Sequence, residues 1–109
     1  SSIRLDVSPG GLTWCMVALP PAPVMRALLA EGIPGLDADG FHTTDTIDLD
    51  LVVHGAVALV VDTGYVVLGP GDVVIQRGTR HAWWNRGDDL AVLSAVVLPS
   101  GSTTEFTPS

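Results

Sequence analysis

The sequence predicts an all-β fold, a small sandwich or barrel, with one short helix near its N-terminal end. Three observations point there. Valine, glycine and proline are abundant while lysine is absent, a mix that favours strands and turns. From residue 47 onward, short apolar runs alternate with turn signals every eight to twelve residues, the rhythm of antiparallel sheets. The chain is 109 residues long and 47% hydrophobic, enough for one modest core in a single domain spanning 1–109.

The elements follow in order. Ser1–Val7 alternates weakly and reads as an edge strand, closed by the turn at Pro9-Gly10-Gly11. Leu12–Leu19 is a strand, broken by Pro20, Pro21 and Pro23. Val24–Glu31 is the one helix, with proline at its start and Gly32 as its stop. Residues 33–40 form a loop. Strands follow at Ile47–His54, Ala56–Asp62, Tyr65–Leu68, Val73–Gln76, Arg80–Asn85 and Leu90–Leu98, with Thr103–Phe106 as a last short one.

Charge and composition exclude several classes. The net charge is −7 and the five arginines (Arg4, Arg26, Arg77, Arg80, Arg86) are dispersed, so no nucleic acid is expected as a partner. An anionic membrane surface is disfavoured for the same reason, and the longest apolar run is far too short to span a bilayer. No basic stretch followed by an apolar one opens the chain, so no secretory leader is expected. Cys15 is the only cysteine; it suits a reducing, cytoplasmic setting and reads as a small core hydrophobe.

The polar residues with chemical capacity fall into two stretches. Along FHTTDTIDLDLVVHG, His42, Thr44, Thr46, Asp48, Asp50 and His54 share one parity, while Ile47, Leu49, Leu51 and Val53 take the other. One face of this strand is therefore apolar and the other carries two carboxylates. By itself this pattern fits either an outer strand with its polar face in water or a strand presenting chemistry to a pocket. The second stretch, PGDVVIQRGTRHAWWN, sets His81, Trp83 and Asn85 on one face. Aromatic rings beside convergent polar groups are what a small-molecule pocket requires.

Together these stretches resemble the two motifs of the cupin superfamily. The first family motif is a His-x-His pair, then Glu, then Gly. This chain has His42-Thr43-Thr44, three residues, Asp48, six residues and Gly55, within residues 42–55. The second runs Pro-Gly, Pro-x-Gly, His, Asn; this chain has Pro70-Gly71, Gln76-Arg77-Gly78, His81 and Asn85, within residues 70–85. Thr44 stands where a second histidine is usual, Asp48 replaces Glu, and Gln76 replaces Pro. The pattern also resembles a subgroup of small cupins linked to specialised-metabolite biosynthesis.

The resemblance implies a double-stranded β-helix (jelly-roll) barrel that pairs as a homodimer through outer strands. It implies metal ligands at His42, Asp48 and His81, a set able to hold Fe, Zn, Ni or Mn. The alternative is a metal-free pocket in which His42, Asp48, Asp50 and His81 act as general acid and base, Asp48 and Asp50 raising each other's proton affinity. Thr44 and Trp83 are candidate substrate contacts. The expected activity is a lyase or isomerase step (dehydration, decarboxylation or isomerisation) on a small organic substrate. An Fe(II) dioxygenase and a non-enzymatic small-molecule binding module are the rivals. Duller roles are expected elsewhere: His54 at the rim, Asp72 and Asn85 as turn acceptors and caps, Arg77 and Arg80 in solvated pairs. Trp84 is expected against the helix or a dimer partner, and Trp14 is expected to close one end of the barrel.

Overall fold

The computed structural model describes residues 11–43 and 45–99. The expected strands at 1–7 and 103–106, together with Arg4 and Thr44, lie outside the described residues. Among the described residues, seven strands and one helix follow in the order β1 (Thr13–Leu19), α1 (Ala22–Glu31), β2 (Thr46–His54), β3 (Val57–Val61), β4 (Gly64–Leu68), β5 (Val73–Arg77), β6 (Ala82–Asn85) and β7 (Ala91–Pro99). Each expected element in this range is present, with ends shifted by a residue or two. The helix starts earlier than expected because Pro21 occupies the N-cap and Pro23 falls in the first turn, where a missing N–H costs nothing. It ends at Gly32 (φ 95°), whose N–H returns to the Leu29 carbonyl.

The strands form two antiparallel sheets, β1-β7-β2-β5 and β4-β3-β6. Apart from the β3–β4 hairpin, neighbours in each sheet are strands that do not follow one another in the chain, the signature of a jelly roll. Register sets the inner face of the larger sheet. Cys15 lies opposite Ala95, which lies opposite Asp50, which lies opposite Val74. The next inner row runs Val17, Leu93, Val52. Below it the core closes around Leu19, Val52, Val57, Ala91 and Leu93, with Met25, Leu68 and Trp83 packed against them.

The orientation of β2 decides what kind of interior this is. Its polar parity points inward: Thr46, Asp50 and Val52 are buried, whereas Leu49, Leu51 and Val53 are exposed. The outer surface is consequently apolar. Leu49 faces Ile75 (64% exposed), Leu51 faces Val73, and Trp14 and Met16 extend the patch across β1. Trp14 departs from its expected place at the end of the barrel. It sits on the outer parity of β1, is 69% exposed, and donates its Nε1–H to Ser94 Oγ at 2.7 Å.

Turn chemistry locks these strands. Asp72 accepts the Gly69 N–H on its carboxylate at 2.8 Å, as expected of the residue after Pro-Gly. Asn85 caps the β6–β7 turn and does more: buried, it accepts Gly87 N–H and donates to the Leu19 and Asp89 carbonyls, tying the end of β1 to that turn. Gly55, between β2 and β3, has φ 85°, and a Cβ there would meet the Ala91 Cβ at 3.0 Å and Cα at 3.1 Å. Both the left-handed backbone and the close approach demand glycine. Gly55→Ala is therefore expected to cost about 2 kcal/mol or more, read as a lowered urea midpoint with an unchanged denaturant slope.

Candidate functional site

Between the sheets lies a cavity of about 470 Å³, a size that admits one small organic molecule. Its walls are mostly apolar, including Val17, Met25, Leu93, Val97 and both Trp83 and Trp84, and its polar groups are His42, Asp48, Asp50 and His81. Four of the sequence-predicted residues thus share one cavity with Trp83. His54 is exposed at the end of β2 and does not line it.

His42 and His81 are joined through the backbone. Each donates its N–H to the other's carbonyl, at 3.0 and 3.1 Å, and the rings meet edge to face with centroids 4.3 Å apart. His81 is buried (2% exposed), and its Nδ1 lies 2.6 Å from the Thr79 carbonyl. A carbonyl only accepts, so Nδ1 carries the proton and a neutral ring keeps its lone pair on Nε2. Trp83 stands edge-on to His81 at 6.4 Å. Burial, followed by the neighbouring His81, pushes the His42 proton affinity below its ordinary value, although Asp48 opposes this. His42 Nδ1 is buried without a protein hydrogen-bond partner.

The carboxylates differ. Asp48 Oδ1 accepts the Thr46 hydroxyl at 2.8 Å. Asp50 is 4% exposed, and its Oδ2 has no partner. Burial first and the charge of Asp48 second lift its pKa from 3.8 to about 6. The Gln76 side chain favours the charged form, although its Nε2 is buried without a hydrogen-bond partner. Cys15, on the same inner row, has its thiol pushed up by burial and then by Asp50 and Asp48. It stays a protonated wall residue, a poor nucleophile.

One end of the cavity is closed by the 33–40 loop, with Ile33, Pro34 and Leu36 facing in. Asp37 staples that loop. It accepts the Asp39 and Phe41 N–H groups on Oδ1 and pairs with Arg80 at 3.0 Å on Oδ2. The Phe41 N–H first, with Asp39 and Arg80 adding, holds its carboxyl below the ordinary range. Arg80 also pairs with Asp62 at 3.0 Å and covers the Phe41 ring at 4.1 Å. Trp84 packs towards the helix, under the guanidinium of Arg26 at 5.5 Å, so of its two expected surroundings the helix is the one observed.

The metal expectation meets a plain geometric test. His42 and His81 offer two nitrogens side by side. Among the described residues, however, no three His, Cys, Asp or Glu side chains stand close enough together to hold one ion. As placed, the side chains do not form a three-ligand centre.

Two sheets in jelly-roll order, with the paired-histidine motif residues facing one cavity, match known structures. The chain superposes on a Cupin 2 conserved barrel protein from Salinispora arenicola with TM-score 0.59 and 17% identity, over 95% of this chain and 75% of that one. The chain has the cupin fold. A second solved cupin, a sugar phosphate isomerase from Silicibacter pomeroyi, matches with TM-score 0.59 and 23% identity over 80% of this chain and 50% of that one. No protein-family model matches. In sequence the chain is 39% identical over 71 residues to phomopsin biosynthesis cluster protein C' of Diaporthe leptostromiformis, covering 64% of this chain and 36% of the relative. It is 33% identical over 60 residues to a cupin-domain-containing oxidoreductase of Aspergillus ruber, covering 54% of this chain and 29% of the relative. The matched stretches span about a third of these relatives. Among its described residues, no helix is long and apolar enough to cross a membrane.

Sequence reasoning missed Ala95 and Cys15, which share the Asp50 row by register, Gln76, which lies opposite Asp48 and whose side chain acts on Asp50, and the apolar loop residues 33–36. The loop's apolar content was the one visible signal.

The raised Asp50 pKa has a stability consequence. The folded protein binds this proton more tightly than the unfolded chain, so the Asp50 contribution favours folding as pH falls from above 6 towards 3.8. His42 acts oppositely, since its lowered affinity makes protonation oppose folding. The two separate in a single-site comparison. Asp50→Asn is expected to be more stable than the native protein at pH 8, by about 1–2 kcal/mol after allowance for solvent screening. That gap should close by about pH 4, as followed by urea midpoints across the range.

Proposed function

We propose that this cupin catalyses an acid–base step, a dehydration, isomerisation or decarboxylation, on a small organic molecule held in the cavity. One observation carries the reading: Asp50 is a buried carboxylate with an unpartnered oxygen and a pKa of about 6, in the same apolar cavity as the His42–His81 pair. A base of that affinity is ionised at neutral pH yet basic enough to take a proton from carbon.

In an elimination, Asp50 Oδ2 removes the proton and the C–H electron pair becomes the new double bond. A hydroxyl on the adjacent carbon takes the Nε2 proton of a doubly protonated His81 ring, which ends neutral with its Nδ1–H still on the Thr79 carbonyl, and leaves as water. In an isomerisation, Asp50 returns the same proton at a different carbon. His81 suits the imidazole role because the Thr79 carbonyl fixes its ring and directs Nε2 away from that tether. Asp48 supplies the neighbouring charge that keeps Asp50 basic, and the indole of Trp83 offers an apolar surface for the substrate.

An oxidoreductase reading draws support from the name of the Aspergillus ruber relative. It needs a metal or another redox group, and the histidine pair would be its protein anchor. If a divalent ion were held there by His42 and His81, it would supply Lewis-acid chemistry. The solvent-exchange behaviour of 2-tetralone, an uncharged ketone with acidic α-protons, separates the two readings. In D₂O the protein is expected to accelerate α-proton exchange, with a rate rising through about pH 6 as Asp50 ionises. Asp50→Asn should lower the rate by on the order of 100-fold, and exhaustive chelation should leave it unchanged. Loss on chelation with recovery on adding one metal would move the work to the histidine pair.

Self-association belongs to the same reading. The apolar outer face of β1, β2 and β5 is broader than the scattered exposed side chains of a typical monomer surface, and we assign it to pairing with a second copy. Light scattering is expected to report a dimer. Changing the facing pair Leu49 and Ile75 to lysines should yield a folded monomer, whereas a monomeric native protein would refute the assignment.

A further inference from the structure

We infer that the cavity takes an apolar ligand that is uncharged or cationic and turns away carboxylates and phosphates; this rests on reading the cavity as the substrate site. The argument is an inventory of charge. The chain contains no lysine, and none of the cavity-lining residues is an arginine. Each described arginine is placed elsewhere. Arg80 is engaged by Asp37 and Asp62. Arg26 is exposed on the helix over Trp84. Arg86 stands over Tyr65. Arg77 pairs across the sheet with Ile47, on the parity that faces away from Asp48 and Asp50.

Inside the cavity the fixed charges are negative. Asp48 and Asp50 share one inner face, and both act on the Cys15 thiol, Asp50 from the same row and Asp48 from the next. An anion entering this space leaves water, finds no arginine among the described residues that line it, and meets a carboxylate. Among the described lining residues the two imidazoles are the remaining groups able to meet it, and His81 has already committed its Nδ1–H to Thr79. An uncharged ligand pays little of that desolvation. Its hydroxyl or amine donors find acceptors in Asp50 Oδ2, which has no partner in the protein, and in Asp48. Two indoles on the wall add aromatic and, for an ammonium, cation–π attraction. The consequence for the reaction is a narrowing: decarboxylation needs a carboxylate in this space, so dehydration and isomerisation of an uncharged compound remain.

Four probes on one skeleton test this: 2-naphthol, 2-naphthylmethylamine, 2-naphthoate and 2-naphthyl phosphate, titrated into the native protein by calorimetry at pH 7.5. The naphthol and the amine are expected to bind at least about tenfold more tightly than the carboxylate and the phosphate. In Asp48→Asn/Asp50→Asn, or in Asp50→Asn alone should the double variant fold poorly, the gap between naphthol and naphthoate should shrink at least about threefold. Equal or tighter binding of either anion by the native protein overturns the inference, as does binding of none of the four or a gap that the variants leave intact. The outcome is separable from that of the acid–base proposal. Anion preference alongside Asp50-dependent tetralone exchange sinks only the charge selection, and neutral preference without exchange sinks only the chemistry.

Discussion

The structure depends on an inversion of the usual burial rule along β2. An ordinary sheet strand turns its apolar parity inward, yet here Asp48, Asp50 and Thr46 face the interior and Leu49, Leu51 and Val53 face outward. Burying a carboxylate costs free energy unless it is paired or neutralised, and Asp50 is unpaired. The molecule meets that cost by raising the proton affinity of Asp50 rather than by supplying a cation. Stability surrendered at this position is recovered where the barrel narrows, around Val52, Val57, Ala91 and Leu93.

The space around Asp50 is kept open by small neighbours. Ala95 separates it from Cys15 on the inner row, and a larger residue there would fill the cavity instead of lining it. The other end is closed by a loop that cannot hold its own shape by sheet hydrogen bonds. Asp37 substitutes for them, and Arg80 binds it to the chain immediately before His81. Loop closure and histidine placement are therefore coupled through adjacent residues. This also explains why Arg80, the arginine nearest the histidine in sequence, brings no charge to the cavity.

Much of the fold was legible before the structure. The turn residues Gly32, Gly55, Gly71-Asp72 and Asn85 punctuate the chain where strands end, since each position needs a backbone or hydrogen bond that few residues supply. The parity of β2 was legible as a separation of polar from apolar residues. Its direction was not, because parity alone is symmetric between inside and outside. Trp14 shows the same limit: a large aromatic on a strand invites an interior role, but the parity of β1 gives the interior to Cys15, Val17 and Leu19.

By itself the sequence determined which residues have the capacity for chemistry and roughly where strands begin and end, because both are properties of local residue type and spacing. Only the tertiary structure decided that β2 turns its acids inward and that His42 meets His81 across a backbone bridge. It also placed the Thr79 carbonyl against the His81 ring and left every described arginine out of the cavity that holds Asp48 and Asp50. These are consequences of register between strands dozens of residues apart. Such pairing is settled by the packing of the whole barrel, and no short stretch of the chain encodes it.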